Sequence, residues 1–476
     1  MPRSVPDLLL RRARLGGEPV DLRVTGGRIA AIAPRLPGGG AEAVDLDGRV
    51  VVPGLWDEHV HVTQAALAAV WLPLGGTPSA AAALEVVRAA AGRAARDEAL
   101  VGYGFQDGLW PDVPSLAALD AAAGGRPVIL ISHDVHAVWL SSAAAGRFGV
   151  EPGETGLLRE APAFAVGREA NRLAAHRAEA AIGMLMADAS ARGVVGVVDF
   201  EMTWSRDAWA ERMADGWSGP RIEAAVYPAD LDRAAASGGR SGDPVVDLLA
   251  VGPLKVLADG ALNTRTAWVA DAYPDGGHGV STLTGPELED LLRRGAAIGL
   301  VPAVHAIGDA AVTAVLDVLA ATGLTGRIEH AQLVAEADLP RFGAVGATAS
   351  VQPAHLLDDR EVAARHWPGR TGRAYPLRAL LDAGATLAFG SDAPVAPLDP
   401  WRAIRAAVDR ALPGEEPWHP EQRIPLGAAL AASTRGRAVP RVGDPADLAV
   451  LDGPVERLDG GVAATLVAGR FTHRAL

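Results

Sequence analysis

The chain has 476 residues, 49% of them hydrophobic, which is sufficient for a large folded core. Its formal net charge of −13 at pH 7 argues against nucleic acid as a partner, because the phosphate backbone attracts positively charged proteins. Cysteine is absent, which excludes disulfides and thiol chemistry, and the longest apolar runs are shorter than a membrane span.

Short apolar runs that alternate with turns mark both ends of the chain. Residues 7–33 contain such runs with Gly-Gly turns between them, and residues 443–474 show a similar pattern. These patterns are typical of small antiparallel strands. The first residues lack the apolar core and the cleavage site of a signal peptide, so we expect a cytoplasmic protein.

Eight further segments are short and apolar, as parallel strands buried on both faces are. They are residues 50–56, 194–200, 221–227, 253–259, 300–305, 327–331, 347–353 and 386–391. Alanine-rich helical stretches lie between most of them, for example over 286–298, 309–322 and 399–411. Eight alternating strands and helices predict a TIM barrel, whose active site lies at the carboxyl ends of the strands.

The stretch between the first and second predicted strands, from about residue 65 to 190, is too long for a simple crossover. It contains predicted helices over 79–96 and 168–192 and a predicted strand over 127–132. We therefore expect an inserted α/β subdomain that covers the mouth of the barrel.

Several histidines stand where apolar runs end. His59 and His61 are two residues apart, so on a strand they point to the same face. His305, His330 and Asp392 each follow or end another predicted strand. A single histidine of this kind is more often structural, but five such residues are difficult to explain in that way. Nitrogen and oxygen donors without thiols suit zinc, manganese, iron or nickel.

Lys255 is the only lysine among 44 lysine and arginine residues. It lies in the apolar run 253–259, where a charged ammonium is costly unless it is paired or chemically changed. An amine can lose its proton and act as a nucleophile, whereas a guanidinium stays charged. A salt-bridged or partly solvated lysine is the ordinary alternative.

Together, these motifs resemble those of the amidohydrolase superfamily, specifically amidohydrolase family 3. The resemblance extends over nearly the whole chain and is carried by five segments, residues 51–61, 254–267, 305–312, 327–332 and 389–394. It implies a metal-dependent hydrolase with one or two divalent ions, zinc foremost. The sequence differs from the common family pattern over 261–264, where relatives more often carry Ser and Gly, so the substrate stays open.

The resemblance also implies roles for single residues. In relatives with two metal ions, the lysine of strand four is carboxylated by CO2 and bridges the ions, and this implies a carbamate on Lys255. The implied metal ligands are His59, His61, Lys255, His305, His330 and Asp392. Asp392 would also take the proton from the attacking water. Asp309 and Glu329 are candidates for supporting these ligands, although either acidic residue could simply be a cap.

In the family, the two chain ends combine into a β-sandwich beside the barrel. We therefore expect a composite β-sandwich from residues 1–55 and 440–476, a metal-binding barrel over 56–439, and the inserted subdomain over 65–190.

The insertion contains an Asp-x-His-x-x-Trp block that is similar to a block of the family. Its His136 and Trp139 are candidates for substrate contact, and Arg265 is a candidate clamp for a carboxylate or a carbonyl. A packing role, in which these residues hold the insertion against the barrel, is an equal alternative.

The expected activity is hydrolysis of an amide-type C–N bond in a small molecule, such as an N-acyl, N-formyl or cyclic amide. A heterocycle deaminase with one metal is the alternative, and Lys255 counts against it because many such enzymes lack this ligand. A barrel that binds metal without catalysis is the third hypothesis. Whether the chain forms a homo-oligomer stays open.

Overall fold

The structure is a computed structural model that describes residues 7–93, 99–458 and 461–476. The strands of these ranges form three sheets. In the same ranges, every helix is too short or too polar to cross a membrane.

The chain begins with five strands of the first sheet: β1 Leu8–Leu15, β2 Glu18–Thr25, β3 Arg28–Ala33, β4 Glu42–Asp45 and β5 Val50–Pro53. The first three are antiparallel neighbours, whereas β4 and β5 pair with β1 in parallel. Gly16 and Gly17, with φ of 56° and 92°, make the β1–β2 turn, which requires a backbone that glycine adopts without strain.

The first barrel strand starts later than the sequence indicated. The predicted strand 50–56 is divided at Gly54, so that 50–53 is β5 of the first sheet and β6, Leu55–Val60, is the first strand of the barrel. A Cβ at Gly54 would lie 2.1 Å from a methyl of Val195, so only glycine lets the chain pass here. His59 therefore lies within its strand, one residue before the strand ends.

After β6 the chain forms the insertion. Its strands are β7 Leu72–Pro73, β8 Leu100–Phe105, β9 Val128–Ser132, β10 Ala137–Leu140 and β11 Leu157–Arg159. Its helices are α1 Val62–Ala68, α2 Ala80–Ala91, α3 Leu116–Ala123, α4 Ser142–Phe148, α5 Ala161–Leu173 and α6 Ala175–Ala191. The predicted helix 79–96 is α2, and residues 94–96 lie outside the described ranges. The predicted helix 168–192 is divided between α5 and α6.

The remaining strands of the second sheet are β12 Val194–Asp199, β13 Arg221–Val226, β14 Pro244–Val246, β15 Leu249–Leu257, β16 Pro302–Ala306, β17 Arg327–His330, β18 Thr348–Val351 and β19 Thr386–Phe389. Eight strands run parallel in the order β6, β12, β13, β15, β16, β17, β18, β19, and β14 pairs with β15 from outside this path. Two backbone hydrogen bonds nearly close the ring: Asp392 N donates to His59 O at 2.6 Å, and His61 N donates to Ala393 O at 2.9 Å. The predicted TIM barrel is confirmed.

Helices cover the outside of the barrel and the connections at its mouth. They are α7 Arg206–Ala214, α8 Leu231–Ser237, α9 Gly285–Ala297, α10 Asp309–Thr322, α11 Leu339–Val345, α12 His355–His366, α13 Leu377–Asp382, α14 Pro400–Asp409 and α15 Leu426–Ser433. Strong start signals explain some of their bounds. For example, Thr284 and Glu287 form a reciprocal capping box before α9.

The end of the chain returns to the first sheet through β20 Leu448–Leu451, β21 Val462–Val467 and β22 Arg470–Arg474. Strand β20 pairs with β5 in antiparallel register, which joins the two ends of the chain in one sheet. The expected unit built from both chain ends is therefore confirmed as part of the fold.

Candidate metal centre

The six residues expected to bind metal meet at the carboxyl ends of the barrel strands. His59 lies in β6, Lys255 in β15, His305 in β16 and His330 at the end of β17, while Asp392 follows β19. All of them and His61, which follows β6, are more than nine-tenths buried. Polar side chains buried to this extent are costly unless they bind each other or a ligand.

Asp392 connects the two histidines of the first strand. Its Oδ1 lies 3.5 Å from His59 Nε2 and 3.4 Å from His61 Nε2. Potential ligand atoms of these three residues all lie within 4.8 Å of one another. This spacing is compatible with a single cation between them.

Lys255 extends toward the cluster formed by His59, His61 and Asp392. Its Nζ lies 3.1 Å from His59 Nε2 and 4.6 Å from the ring centre of Phe200, which forms a wall beneath it. Burial lowers the pKa of Lys255 to about 8. A fraction of the amine is therefore neutral near pH 7, and the neutral form is nucleophilic.

His305 and His330 form the other part of the cluster, with ring centres 4.4 Å apart. Nε2 of His305 donates to the carbonyl oxygen of Gly260 at 3.1 Å, which leaves Nδ1 to act as an acceptor. His330 Nδ1 lies 4.0 Å from Asp392 Oδ2. The backbone of His330 has φ of 74° and that of Asp392 has φ of 56°, conformations that are unfavourable for residues with a side chain and are concentrated at functional sites.

A close approach of two strands positions Asp392. Gly390 passes so near to His59 that a Cβ at this position would lie 2.6 Å from the Cβ and the backbone nitrogen of His59. Glycine at this position therefore lets the eighth strand reach the first and brings Asp392 to the histidines.

Two buried carboxylates, Glu329 and Asp259, lie next to the candidate ligands His59 and His305. Glu329 Oε2 accepts a hydrogen bond from His59 Nδ1 at 2.6 Å, which directs the lone pair of Nε2 toward the cluster. Asp259 Oδ1 lies 3.5 Å from His305 Nε2 and accepts from the backbone of Ile307. Burial raises the pKa of Asp259 to about 7.

Of the two supporting residues that the sequence suggested, only Glu329 contacts a candidate ligand. Asp309 instead accepts hydrogen bonds from Arg373 at 3.0 Å and from the backbone of Ala270. Asp259 was missed, although it lies within the strand-four segment and is completely buried.

His355, at the start of α12, was also missed by the sequence analysis. Potential ligand atoms of His355, His330 and Asp392 lie within 4.8 Å of one another, and His355 Nε2 donates to the carbonyl oxygen of Ser391 at 3.2 Å. The one available signal was its position four residues after the seventh strand, β18, which faces the same end of the barrel.

The donor set fits a divalent metal ion. It combines imidazole nitrogens and carboxylate oxygens, the ligands that zinc and similar ions prefer. Nδ1 of His61 and Nδ1 of His330 are both buried and without a hydrogen-bond partner within the described ranges. Of the two, Nδ1 of His330 lies 4.0 Å from Asp392 Oδ2, so an ion bound between them would give this buried atom a partner.

The cluster forms the base of a partly enclosed cavity at the barrel mouth. Asp134, His136 and Phe164 of the insertion line this cavity, together with apolar side chains of the barrel such as Leu262 and Ile307. Side chains of the insertion therefore form part of the cavity wall.

His136 is part of the cavity wall. Its ring centre lies 5.5 Å from that of His305, and its Nδ1 lies 2.9 Å from Glu160 Oε2. Burial opposes its protonation, but the charge and the hydrogen bond of Glu160 raise the pKa of His136 to about 9. The imidazole is therefore cationic near neutral pH.

The structure does not bring Trp139 or Arg265 to the described wall of this cavity. Trp139 is completely buried in the core of the insertion, with its ring centre 6.0 Å from that of Trp110. Arg265 is about half exposed and forms an ion pair with Asp275 at 2.6 Å. These positions favour packing for Trp139 and a surface role for Arg265.

The chain is similar in sequence to known proteins. The sequence model of the "Amidohydrolase family" matches residues 42–473. "Protein LONG AFTER FAR-RED 3" of Arabidopsis thaliana is 30% identical over 83% of this chain and 75% of its own length. "N-substituted formamide deformylase" of Arthrobacter pascens is 28% identical over 86% of this chain and 83% of its own length.

A solved structure shares the fold. An uncharacterized metal-dependent hydrolase from Pyrococcus horikoshii OT3 superposes with a TM-score of 0.76 at 23% identity, over 98% of this chain and 100% of that one.

Proposed function

This chain belongs to the amidohydrolase family, and we propose that it hydrolyses an amide-type C–N bond with metal-activated water. The observation that carries the proposal is the meeting of Asp392 with four imidazoles and the single lysine at the catalytic end of the barrel. The deformylase of Arthrobacter pascens supports an N-formyl or N-acyl compound as the substrate, with a cyclic amide as a further member of the class.

The proposed metal centre holds one or two divalent ions, zinc foremost, with manganese, iron or nickel as the other candidates. His59 and His61 would hold one ion and His305 and His330 the other, with Asp392 as a further ligand. When bound, the ions would polarise the scissile carbonyl and make water acidic enough to attack near neutral pH.

Lys255 is proposed to carry a carbamate. Its neutral amine nitrogen attacks the carbon of CO2, so that a C–N bond forms while one C–O π bond breaks and its electron pair moves to the oxygen. One N–H proton leaves to solvent. The product is an anionic oxygen donor in place of a buried cation, which offsets the positive charge of two ions. The lowered pKa of Lys255, about 8, favours this step because it raises the neutral fraction of the amine.

Asp392 is proposed as the general base and then the general acid. Its carboxylate accepts the proton of the attacking water and afterwards delivers it to the leaving nitrogen. The position of Asp392 between His59 and His61 supports this role, because the carboxylate borders the same open space as the imidazoles.

Deamination of a heterocycle at one metal ion would not require Lys255. The distance of 3.1 Å between its amine and His59 Nε2 therefore favours the hydrolase over the deaminase.

A substrate panel tests the proposal. The metal-reconstituted protein would be assayed against N-formyl amines, N-acyl amines, cyclic amides and amino-substituted heterocycles, with product amine, carboxylate and ammonia measured separately. We expect carboxylate and amine from at least one amide. Ammonia from heterocycles alone would contradict the proposal and support the deaminase.

A further inference from the structure

Arg327, at the start of β17, makes more hydrogen bonds than an ordinary ion pair requires. Its Nε donates to Glu329 Oε1 at 2.8 Å, and its Nη1 donates to Glu58 Oε2 at 2.7 Å. Its Nη2 donates to the backbone oxygen of Glu58 at 2.7 Å and to Ser350 Oγ at 2.8 Å. Since its side chain is only 14% exposed, nearly all of this bonding is made away from water.

Glu329 lies between this guanidinium and the metal centre. One of its oxygens accepts from Arg327, and the other accepts from His59 Nδ1 at 2.6 Å. The Glu329 side chain has no exposed surface, so both hydrogen bonds are shielded from competition by water. Arg327 therefore fixes the orientation of the Glu329 carboxylate, and this carboxylate in turn fixes the orientation of the His59 imidazole.

The same contacts join two strands that are not neighbours. Strands β18 and β19 separate β17 from β6 in the barrel. Arg327 and Glu329 are two residues apart on β17, so both side chains point to one face, and they hold Glu58 and His59 of β6. The cross-link thus connects the strand that carries His59 with the strand that ends in His330.

A second arginine, Arg435, also pairs with Glu58, with its Nε 2.6 Å from Oε1. Arg435 is shared with another carboxylate, because its Nη1 lies 2.6 Å from Glu223 Oε1. Arg327 instead connects Glu58 with Glu329. The contact that distinguishes Arg327 from Arg435 is therefore the one with Glu329.

We propose that Arg327 is a positioning residue of the metal centre, which orients Glu329 and through it holds His59 with Nε2 toward the ion. This inference rests on the proposed function, since it requires that His59 binds a metal. The planar guanidinium holds both carboxylates in fixed directions at once, which the single ammonium of a lysine does not do.

The test measures metal binding and needs no substrate. The full chain would be stripped of metal, and its affinity for Zn²⁺ would be determined by competition with a chromogenic chelator. The variants are Arg327→Gln and Arg327→Lys, and the control is Arg435→Gln. The control removes contacts to Glu58, Glu223 and the Trp56 ring and leaves the contact of Arg327 with Glu329 in place. Circular dichroism establishes that each variant is folded.

We expect Arg327→Gln to bind Zn²⁺ about 10- to 100-fold more weakly, as is usual when a residue supporting a metal ligand is lost. Arg327→Lys should lie between this variant and the wild type, and Arg435→Gln should stay within about twofold of the wild type. With Co²⁺ in place of Zn²⁺, the visible absorption bands should shift in the Arg327 variants and not in the control. If Arg327→Gln does not fold, the Zn²⁺ affinity and the Co²⁺ spectrum of Arg327→Lys test the positioning role.

Wild-type affinity and an unchanged Co²⁺ spectrum in the folded Arg327 variants would overturn the positioning role and leave the proposed function intact. Equal losses in Arg327→Gln and Arg435→Gln would also overturn it, because they would indicate a general effect on the barrel. A wild type that binds no divalent metal would overturn the proposed function and this inference together.

Discussion

The amine of Lys255 lies 3.1 Å from Nε2 of His59, in a site where both side chains are buried. Because Glu329 binds the Nδ1 hydrogen of His59, the lone pair of Nε2 points toward the amine. Among the described residues, Lys255 forms no ion pair with a carboxylate. A lysine kept only for a salt bridge would not be placed in this way, so the position favours chemical use of the amine.

Metal binding should stabilise the folded protein, because an ion that binds only the native state shifts the unfolding equilibrium. We expect removal of metal by a chelator to lower the temperature of thermal unfolding, and Zn²⁺ at about 100 times its Kd to restore about 2.7 kcal/mol. Ca²⁺ is the control, since it prefers sites made of oxygen ligands alone. An unfolding temperature that is unchanged by zinc, manganese, iron and nickel would contradict a metal centre.

His136→Ala should alter substrate recognition without removing metal, because His136 lines the cavity from the insertion and has no place among the proposed ligands. We expect KM to rise about tenfold, the loss of one contact of ~1.4 kcal/mol, with metal content equal to that of the wild type. His176→Ala, an exposed substitution on α6, is the control. If the kinetics of His136→Ala are unchanged on every substrate, His136 packs the insertion and does not contribute to substrate recognition.

Trp139→Ala should act on stability rather than on recognition. Its side chain is completely buried in the core of the insertion, and loss of a buried tryptophan costs about 3–5 kcal/mol. Denaturant unfolding measures this change, and KM of the folded variant should match that of the wild type. A stable variant with an altered KM would instead support the substrate contact predicted from the sequence.

Gly390→Ala should disturb the centre, although it adds only one methyl group. The new Cβ would lie 2.6 Å from His59, so the eighth strand or His59 must move. We expect a loss of about 1–3 kcal/mol in unfolding free energy, as in other overpacked sites, together with weaker Zn²⁺ binding. The control is Gly183→Ala in α6, where the new Cβ meets no atom within 4 Å. There we expect a gain of about 0.5–1 kcal/mol. Equal behaviour of the two variants would show that the close approach at Gly390 has no effect on the site.

The eight barrel strands could be predicted because parallel strands buried on both faces form continuous apolar runs between alanine-rich helices. The division at Gly54 could not, since residues 50–53 and 55–56 on either side of it are all apolar. The obstacle is Val195, far away in the sequence. Periodicity along the chain contains no information about such a contact.

The candidate ligands could be proposed because each stands at a strand end, where the barrel brings all of them together. Residues that act through long-range contacts could not be found in this way. Asp259 and His355 become neighbours of the histidines only when the loops fold. Trp139 belongs to a block similar to one of the family, but the sequence does not indicate whether its ring points to the cavity or to the core of the insertion.

The most direct test of the proposed centre is the metal stoichiometry and activity of Lys255→Arg, with and without bicarbonate during reconstitution. Arginine keeps the positive charge and a side chain of at least the same bulk but forms no carbamate. We predict that the wild type takes up two ions per chain in a bicarbonate-dependent manner, and that Lys255→Arg loses the second ion and nearly all activity. Near-wild-type metal content and activity in Lys255→Arg would contradict the carbamate bridge, and one ion with partial activity would indicate a mononuclear site.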